Sequence, residues 1–380
     1  MPDFNRYINE MEDKKRKGNF RTFRLMPNTI HTNLSTNDYM GISFREDLRK
    51  DFHKIWDGSH FPYSAISSRL QTGNNVLAQT LENELALAYN THGALVVSSG
   101  YHANTGILPA LTSKKDLILA DKLVHASLID GFKLCDAMVM RYRHQDYEHL
   151  ENLLIQYRKD YEYVFIVSES IFSMDGDVVD LETLVEFRKK YDTFLYLDEA
   201  HAVGVRGFRG LGIAEEKGLI DQVDFLVGTF GKSYASQGAF LVCQPLIRDY
   251  LINSMRTLLY STALPPIIMA WSSFIFQEAQ TMTSEREKLQ NLTDLLVDEA
   301  ESAGIYLTTQ SHIVPLILGE NNKAIAISDF LIDKGFFVLP IRHPTVPEGT
   351  ARIRISLSAN LTELKILDLV KYLKEFFQRF

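Results

Sequence analysis

The sequence predicts an α/β fold with a mostly parallel sheet, followed by a smaller α+β lobe. From about residue 75 to 245, short and continuously apolar segments alternate with segments of helical period. Strands that are apolar throughout are typical of a sheet covered by helices on both faces. Beyond about residue 270 a long polar helix, shorter strands and an amphipathic helix are predicted. We therefore predict an N-terminal segment over 1–40, a large domain over 41–270 and a small C-terminal domain over 271–380.

The predicted strands of the large domain end in polar residues. They follow a predicted helix over 77–89, in which Leu81, Leu85 and Ala88 share one face. The strands are Ala94–Val97, Leu117–Ala120, Val139–Met140, Tyr163–Val167, Phe194–Leu197, Phe225–Val227 and Ala239–Val242. The smaller lobe is predicted to hold a helix over 284–304, strands at Val314–Ile317 and Arg352–Ile355, and a helix over 362–377. In parallel sheets of this kind a ligand binds beyond the carboxyl ends of the strands.

Composition and charge argue against several classes of protein. The chain has 380 residues, 46% of them hydrophobic, which is enough to bury a large core. A net charge of -8 argues against a nucleic-acid-binding surface. Cys135 and Cys243 lie among apolar neighbours and are predicted to be reduced. With no apolar signal region and no membrane-length apolar run, we expect a cytoplasmic protein without membrane or nucleic-acid partners.

Two of the predicted strands end in residues with the chemistry of a pyridoxal phosphate (PLP) site. Phe194–Leu197 leads directly to Asp198, with His201 three positions later, and Phe225–Val227 is followed by Lys232. We expect both strands to bring these side chains to one edge of the sheet. A lysine amine can hold the aldehyde of PLP, and a carboxylate can keep its pyridine nitrogen protonated. The sequence therefore predicts a PLP enzyme, with no metal site.

Two further positions allow both a structural and a functional interpretation. Gly100 and Tyr101 open a predicted helix after a strand. Such a turn is often purely structural, but its free amides can also bind a phosphate at the positive end of the helix. His125 is either a core histidine or an aromatic ring stacked on the pyridine of PLP.

Acidic and basic side chains elsewhere are also open to two interpretations. Glu169 follows a predicted strand and Ser173 lies in the same polar string, where a solvated turn is the simpler alternative. Arg352 and Arg354 alternate on a strand and so share one face. They are either surface charges or a fork for a substrate carboxylate, which arginine binds through two hydrogen bonds.

Taken together, strings spread over nearly the whole chain resemble the α-oxoamine synthase family of fold-type I PLP enzymes. They are Asn37–Gly41, Gly100–Asn104, His125–Ser127, Glu169–Gly176, Asp198–Gly204, Gly228–Lys232, Ser261–Pro266 and Pro344–Arg354. The resemblance implies the aspartate aminotransferase-like fold. It also implies decarboxylative condensation of an amino acid with an acyl thioester, from acyl-CoA or an acyl-carrier protein, with release of a thiol and CO2.

The resemblance implies a role at the PLP ring for four residues. Lys232 would hold the cofactor and later act as a base, and Asp198 would pair with the pyridinium nitrogen. His125 would stack on the ring, and His201 would hydrogen-bond its phenolic oxygen.

The resemblance also implies a shared phosphate site. Backbone amides of Gly100 and Tyr101, together with Thr229, would hold the phosphate within one chain. Ser261 and Thr262 would reach it from the neighbouring subunit, so that a homodimer is required.

Substrate contacts are implied at the remaining positions. Arg354, with Asn37 nearby, would bind the amino-acid carboxylate, and Arg352 is a second candidate. Glu169 and Ser173 would lie on the acyl side of the cofactor site.

Within the family, a few residues favour one substrate pair. Phe172, Asp177 and Thr229–Phe230 favour the members that join L-alanine to pimeloyl-CoA or a pimeloyl-carrier protein in biotin synthesis. Phe61–Gly73 departs from the family, which commonly has a glycine-rich stretch there, so the acyl donor stays open. The alternatives are a synthase that forms 2-amino-3-ketobutyrate or uses a longer acyl chain, an aminotransferase or lyase, and a non-catalytic subunit. A non-catalytic subunit would be expected to lack a lysine at position 232, whereas this chain has one.

Overall fold

The computed structural model describes residues 3–26, 32–91 and 93–379, and these residues form two units. The larger unit comprises 40–173 and 178–287, and the smaller comprises the described part of 1–39, together with 174–177 and the described part of 288–380. The boundary at Glu287 and Lys288 lies beyond the one predicted near residue 270. The described part of residues 1–39 belongs to the smaller unit, in which its strand Thr32–Asn33 pairs with Phe336–Phe337.

The strands of the described residues are short. In chain order they are β1 Thr32–Asn33, β2 Gly93–Val97, β3 Leu117–Asp121, β4 Met138–Tyr142, β5 Val164–Glu169, β6 Phe194–Asp198, β7 Phe225–Thr229, β8 Ala239–Cys243, β9 Ile313–Gly319, β10 Phe336–Phe337, β11 Pro340–Ile341 and β12 Ala351–Ser356. Each strand predicted from the sequence is present, with ends that differ by a few residues.

The helices vary more in length. They are α1 Asn5–Arg16, α2 Glu46–Ile55, α3 Val76–Ala88, α4 Gly100–Leu111, α5 Ala126–Leu134, α6 Tyr147–Tyr157, α7 Leu181–Tyr191, α8 Ile213–Glu216, α9 Pro245–Ser254, α10 Arg256–Leu259, α11 Pro266–Thr281, α12 Thr283–Ser302, α13 Asn321–Asp333 and α14 Glu363–Arg379. The boundary between the two units falls inside α12.

The larger unit is built on a mostly parallel sheet, as predicted. Within the described residues it has seven strands in the order β2-β8-β7-β6-β5-β3-β4. The pairs β3/β4, β3/β5, β5/β6 and β6/β7 are parallel, and β8 is antiparallel to both β7 and β2. Every residue of β2, β3, β5, β7 and β8 is buried, which explains why these strands are apolar with little alternation.

The smaller unit combines short strands with amphipathic helices. Strands β11, β12 and β9 form an antiparallel sheet, and β1 pairs in parallel with β10. Helix α14 buries Ile366, Leu369, Val370, Leu373 and Phe376, a spacing that places them on one face of a helix. The α+β character predicted for this part of the chain is therefore confirmed.

Membrane-spanning elements were searched for among residues 3–26, 32–91 and 93–379. In that part of the chain, none of the helices is both long enough and apolar enough to cross a bilayer.

Candidate active site

Polar residues at the carboxyl ends of the parallel strands surround one cavity in the larger unit. Its volume is ≈ 180 Å³. It is lined by Gly100, Tyr101, Asn104, His125, Ser127, Glu169, Asp198, Ala200, His201, Thr229 and Lys232. The structure thus brings together most of the residues that the sequence predicted for the cofactor. Ser173, Ser261 and Thr262 belong to the same unit but are not among the lining residues.

Lys232 meets an imidazole at this cavity. Its Nζ lies 2.7 Å from Nε2 of His201. Lys232 follows β7, whereas His201 sits in the turn after β6, where the N–H groups of Ala202 and Val203 donate to the carbonyl of Glu199 at 2.8 and 2.9 Å. Two neighbouring parallel strands therefore place an amine within hydrogen-bond reach of a nitrogen base.

The carboxylate of Asp198 is held in a fixed orientation. It is 5% exposed and stands at the end of β6. One oxygen accepts a hydrogen bond from the Asn104 side-chain amide at 2.7 Å, and the other accepts the Ala200 N–H at 2.9 Å. The two contacts, one to each oxygen, hold the carboxylate in place at the cavity.

His125 caps the start of α5 and is fixed at its ring. Its Nδ1 lies 2.7 Å from Oγ of Ser127 and accepts the Ser127 N–H at 3.2 Å. Burial lowers the pKa of the imidazole; the charge of Asp198 opposes this shift, and that of Lys232 adds to it. The neutral ring is therefore favoured.

Glu169 is a second buried carboxyl group in the cavity, 2% exposed. It is the parallel-register partner of Asp198 and accepts the backbone N–H of His125. Burial, and then the nearby charge of Asp198, raise its pKa well above the ordinary range. The acyl-side role that the sequence suggested for Glu169 stays a prediction. The same holds for Ser173, whose side chain is half-buried.

The start of α4 offers an open place for an anionic group. Ser99 caps this helix by accepting the His102 N–H at 3.2 Å. A Cβ added to Gly100 would meet nothing within 4 Å, so the first turn faces free space. Thr229 is less available, because its hydroxyl donates to the carbonyl of Gly238 at 3.0 Å.

These observations test whether the residues fit PLP. An amine and a buried carboxylate line one cavity, which also includes the open start of a helix, where anions are favoured. A lysine for the aldehyde, an acid for the ring nitrogen and amides for the phosphate are the groups that this cofactor requires. The donor set fits the cofactor.

Ser261 and Thr262 have other partners within their own chain. Oγ of Ser261 donates to the carbonyl of Thr257 at 2.5 Å, and the carbonyl of Thr262 accepts the Ser98 hydroxyl at 3.3 Å. The side chain of Thr262 is exposed. Their predicted contact with a phosphate of the neighbouring subunit remains a prediction.

The predicted carboxylate-binding residues belong to the smaller unit, where Arg354 and Arg352 differ sharply. Nη2 of Arg354 donates to Asn37 Oδ1 at 2.8 Å and to the Tyr39 hydroxyl at 3.0 Å. Its Nε is buried and has no hydrogen-bond partner among the described residues. Arg352 instead pairs with Asp175 and donates to the carbonyl of Met174 at 3.2 Å. Of these two arginines, only Arg354 has a buried donor without a partner in the described part of the chain.

Some residues that hold the site together were not predicted from the sequence. Asn104 and Ser127 line the cavity and bond to predicted residues, yet each is the last member of a motif already singled out. Tyr196 donates to Oδ1 of Asn104 at 2.7 Å. No sequence pattern marked Tyr196 as a site residue, because a tyrosine within an apolar strand is expected to be a core residue.

Comparison with known proteins connects this geometry to a family. The family model for aminotransferase class I and II matches residues 29–373. A Haemophilus influenzae protein provisionally named 8-amino-7-oxononanoate synthase is 48% identical over 353 residues, covering 90% of this chain and 93% of that protein.

Two solved structures of related enzymes have a similar fold. A serine palmitoyltransferase variant from S. paucimobilis, with PLP–myriocin bound, has a TM-score of 0.90 at 28% identity, covering 99% of this chain and 98% of that one. An 8-amino-7-oxononanoate synthase from Francisella tularensis has a TM-score of 0.78 at 29% identity, covering 93% and 99%.

Proposed function

Because the chain belongs to the aminotransferase class I and II family, and within it to the PLP-dependent α-oxoamine synthases, we propose that it condenses L-alanine with a pimeloyl thioester. The products would be 8-amino-7-oxononanoate, CO2 and a free thiol, a step of biotin synthesis. The carrying observation is the 48% identity to a protein with that provisional name over 90% of the chain. Identity to the serine palmitoyltransferase is lower, at 28%.

The cavity residues divide the chemistry among them. When bound, PLP supplies an electron sink for carbanion chemistry. Lys232 would hold its aldehyde carbon and, once released, take the proton from Cα of the amino acid through Nζ. His201, 2.7 Å away, would keep that amine oriented. Asp198, fixed by Asn104 and Ala200, would hold the proton on the pyridine nitrogen.

The amides of Gly100 and Tyr101 would bind the phosphate at the start of α4, where the helix dipole favours an anion. Glu169 and Ser173 would contact the acyl side. Burial raises the pKa of Glu169, so its carboxyl group would be neutral and could donate a hydrogen bond to a carbonyl oxygen.

Arg354 is our candidate for binding the amino-acid carboxylate. Its Nε is buried without a partner in the described part of the chain, and Asn37 and Tyr39 fix the rest of the guanidinium. Burial raises the pKa of Tyr39 to about 12, so its hydroxyl stays protonated and neutral beside the arginine. Arg352, already paired with Asp175, would have a structural role.

The two arginines provide a matched test. Arg354→Gln should raise KM for the amino acid about 10- to 100-fold, because a charge-assisted hydrogen bond is lost. Arg352→Gln should lower thermal stability and leave that KM within about twofold. Equal KM values for Arg354→Gln and the wild type would contradict the assignment.

We propose a homodimer in which Ser261 and Thr262 complete the phosphate site of the partner. Both lie outside the cavity of their own chain, and large apolar side chains near them in sequence are exposed, such as Tyr260. Sedimentation should give the mass of a dimer. Mixing Lys232→Ala with a Ser261→Ala, Thr262→Ala double variant should restore activity after subunit exchange, since one site per mixed dimer is intact. If the two variants exchange subunits and the mixture still shows no activity, the proposal of shared sites is contradicted.

The substrate pair is tested by a matrix of amino acids against acyl-CoAs, scored by free thiol and CO2. L-alanine, glycine and L-serine should be combined with pimeloyl-, acetyl- and palmitoyl-CoA, and pimeloyl-carrier protein should be tested as a second donor. L-alanine with a pimeloyl thioester should react fastest. Turnover of another pair alone would refute the biotin assignment while leaving the condensation intact, and amino transfer without thiol release would refute both.

A synthase that takes a longer acyl chain is the second candidate. The fold similarity to serine palmitoyltransferase, with a TM-score of 0.90, favours it. Palmitoyl-CoA in the same matrix distinguishes this candidate.

We also propose a cytoplasmic location. Cys135 and Cys243 are both free thiols, which fits a reducing compartment. Fractionation of the native host with an antibody to the protein would test this proposal.

A further inference from the structure

A buried chain of hydrogen bonds links Asp198 and His125, two of the four residues predicted to contact the PLP ring. The Tyr196 hydroxyl donates to Oδ1 of Asn104 at 2.7 Å. The Asn104 amide nitrogen donates to Asp198 at 2.7 Å and to Oγ of Ser127 at 2.9 Å. Ser127 Oγ lies 2.7 Å from Nδ1 of His125. Tyr196 and Ser127 are fully buried and Asn104 nearly so.

Close packing of two helices makes this chain possible. Asn104 is on α4 and Ser127 is at the start of α5. A Cβ at Gly131, one turn along α5, would lie 2.3 Å from the carbonyl oxygen of Asn104. Glycine there lets the helices approach closely enough for the Asn104 amide to reach Ser127.

The direction of every bond follows from its donors. Nδ1 of His125 accepts the backbone N–H of Ser127 at 3.2 Å, so this nitrogen carries no proton. The Ser127 hydroxyl must then donate its proton to Nδ1, and its oxygen is free to accept from the Asn104 amide. That amide nitrogen has two protons, one for Ser127 and one for Asp198. The amide oxygen is left to accept from Tyr196, and no bond in the chain is reversible.

We propose that Asn104, Ser127 and Tyr196 are positioning residues that hold the His125 imidazole neutral, with its proton on Nε2, while orienting Asp198 through the same amide. The contribution of these three residues to catalysis rests on the proposed function. The protonation of His125 at Nε2 does not depend on that function. A neutral ring stacks on a protonated pyridinium without charge repulsion, and its Nε2–H is the donor that His125 can present to the cavity.

Charged groups around His125 act in opposite directions. Asp198, at the end of β6, favours the protonated imidazole, whereas Lys232, after β7, disfavours it. Glu169, at the end of β5, accepts the backbone N–H of His125, and His201 lines the same cavity. Burial lowers the pKa of the imidazole. The two donors to Nδ1 act in the same direction, because hydrogen bonds to the neutral form oppose protonation.

Nitrogen-15 NMR of the imidazole tests this proposal directly. The protein, labelled at histidine, is titrated with and without PLP, and the His125 signals are identified by their loss in His125→Asn. The wild type should show a bare Nδ1 and a protonated Nε2. Ser127→Ala should make protonation of His125 about three- to tenfold more favourable, because one donor to Nδ1 is lost. A proton on Nδ1 in the wild type overturns the proposal. The proposal is also overturned if His125 has the same pKa in Ser127→Ala as in the wild type.

A conservative pair of variants separates positioning from general damage. Tyr196→Phe removes one oxygen and frees the Asn104 amide, so it should shift His125 in the same direction by up to about threefold. Tyr142→Phe is the control, since this tyrosine of β4 is also buried and its hydroxyl is not part of the hydrogen-bond chain. Equal shifts in both variants overturn the proposal.

The outcome is distinguishable from failure of the proposed function. A wild type with a protonated Nε2 but no thiol release from any acyl-CoA refutes the function alone. A wild type that turns over substrate with a proton on Nδ1 refutes the positioning role alone.

Discussion

The cofactor cavity and the segment 61–73 lie in the same unit but are stabilised differently. In the cavity Asp198 and Glu169 are 5% and 2% exposed, and each accepts hydrogen bonds from defined donors. In the segment Tyr63 is 100% exposed and Ile66 81% exposed. The two carboxyl groups of the cavity stand at the ends of buried strands, whereas the segment leaves large apolar side chains exposed.

Backbone conformation separates the two regions as well. Ile66 has a φ of 50°, in the left-handed region, where a β-branched residue is strained. The segment is held from both sides: the Ala263 N–H donates to the carbonyl of Ser67 at 2.9 Å, and Arg69 pairs with the buried Glu82. The contrast teaches that strain is tolerated where a few strong anchors fix the ends of a loop.

The largest effect is expected at the cavity. Lys232→Ala should abolish the visible absorption of bound PLP and lower kcat by at least ~10²–10⁴-fold, the usual contribution of proton transfer. Lys133→Ala, an exposed lysine of α5, should leave both unchanged. A Lys232→Ala variant that keeps both the visible absorption of bound PLP and the wild-type kcat would contradict this prediction. The chemistry would then not depend on the cavity.

The anchor of the segment should dominate its stability. After Arg69→Gln, the partners of the buried Glu82 among the described residues are the Val96 N–H at 2.8 Å and Arg248 at 3.4 Å. Breaking a buried ion pair should lower the free energy of unfolding by about 3 kcal/mol in urea titrations. Lys190→Met, which removes an exposed ion pair with Glu151, should change little. A similar loss of unfolding free energy in both variants would show that the ion pair of Arg69 with Glu82 contributes no more than an exposed one.

Glu199 provides a pH test of the strand-end region. It is fully buried and accepts the N–H groups of Ile213 and Ala214 at 3.0 and 2.8 Å. Burial raises its pKa from 4.5 to about 7. Folding therefore favours the protonated form, and this contribution is fully present below pH 4.5 and lost as the pH rises through 7.

Glu199→Gln removes this proton equilibrium. Relative to the variant, the wild type should lose up to about 3 kcal/mol of unfolding free energy between pH 5 and 8. The measurement is urea unfolding at several pH values in that range. Parallel pH curves for the two proteins would contradict the assignment.

The smallest effect concerns the strain itself. Ile66→Gly should raise the unfolding free energy by about 0.5–1 kcal/mol, because relief of the left-handed strain exceeds the added entropy of glycine. Ile66→Val keeps the branched side chain and should be neutral. A lower melting temperature for Ile66→Gly, together with a weaker dimer in sedimentation, would instead show that Ile66 packs against a partner subunit.

The sequence was sufficient for the fold class and for predicting that Asp198 and Lys232 lie at one cavity. Continuous apolar strands that end in Asp198 and near Lys232 required a buried parallel sheet, and parallel strands end at a common edge. Local patterns carry that information, because side-chain period and strand burial are decided within a few residues.

Contacts between distant segments needed the structure. Tyr196 and Asn104 are 92 positions apart, and Asn104 and Asp198 are 94 apart. The pairing of Arg352 with Asp175, which leaves Arg354 as the carboxylate candidate, spans 177 positions. The described part of residues 1–39 is grouped with residues near the C-terminus, and the pairing of β1 with β10 likewise joins distant segments.

The sequence by itself determined which chemical groups this protein carries and that strand ends would gather them. Tertiary packing decided how each group is held: which oxygen of Asp198 accepts which donor, which nitrogen of His125 stays bare, and which arginine keeps a free N–H. The physical reason is that hydrogen bonds are directional and short-ranged, so their partners are fixed only when helices and strands pack within about 3 Å of one another.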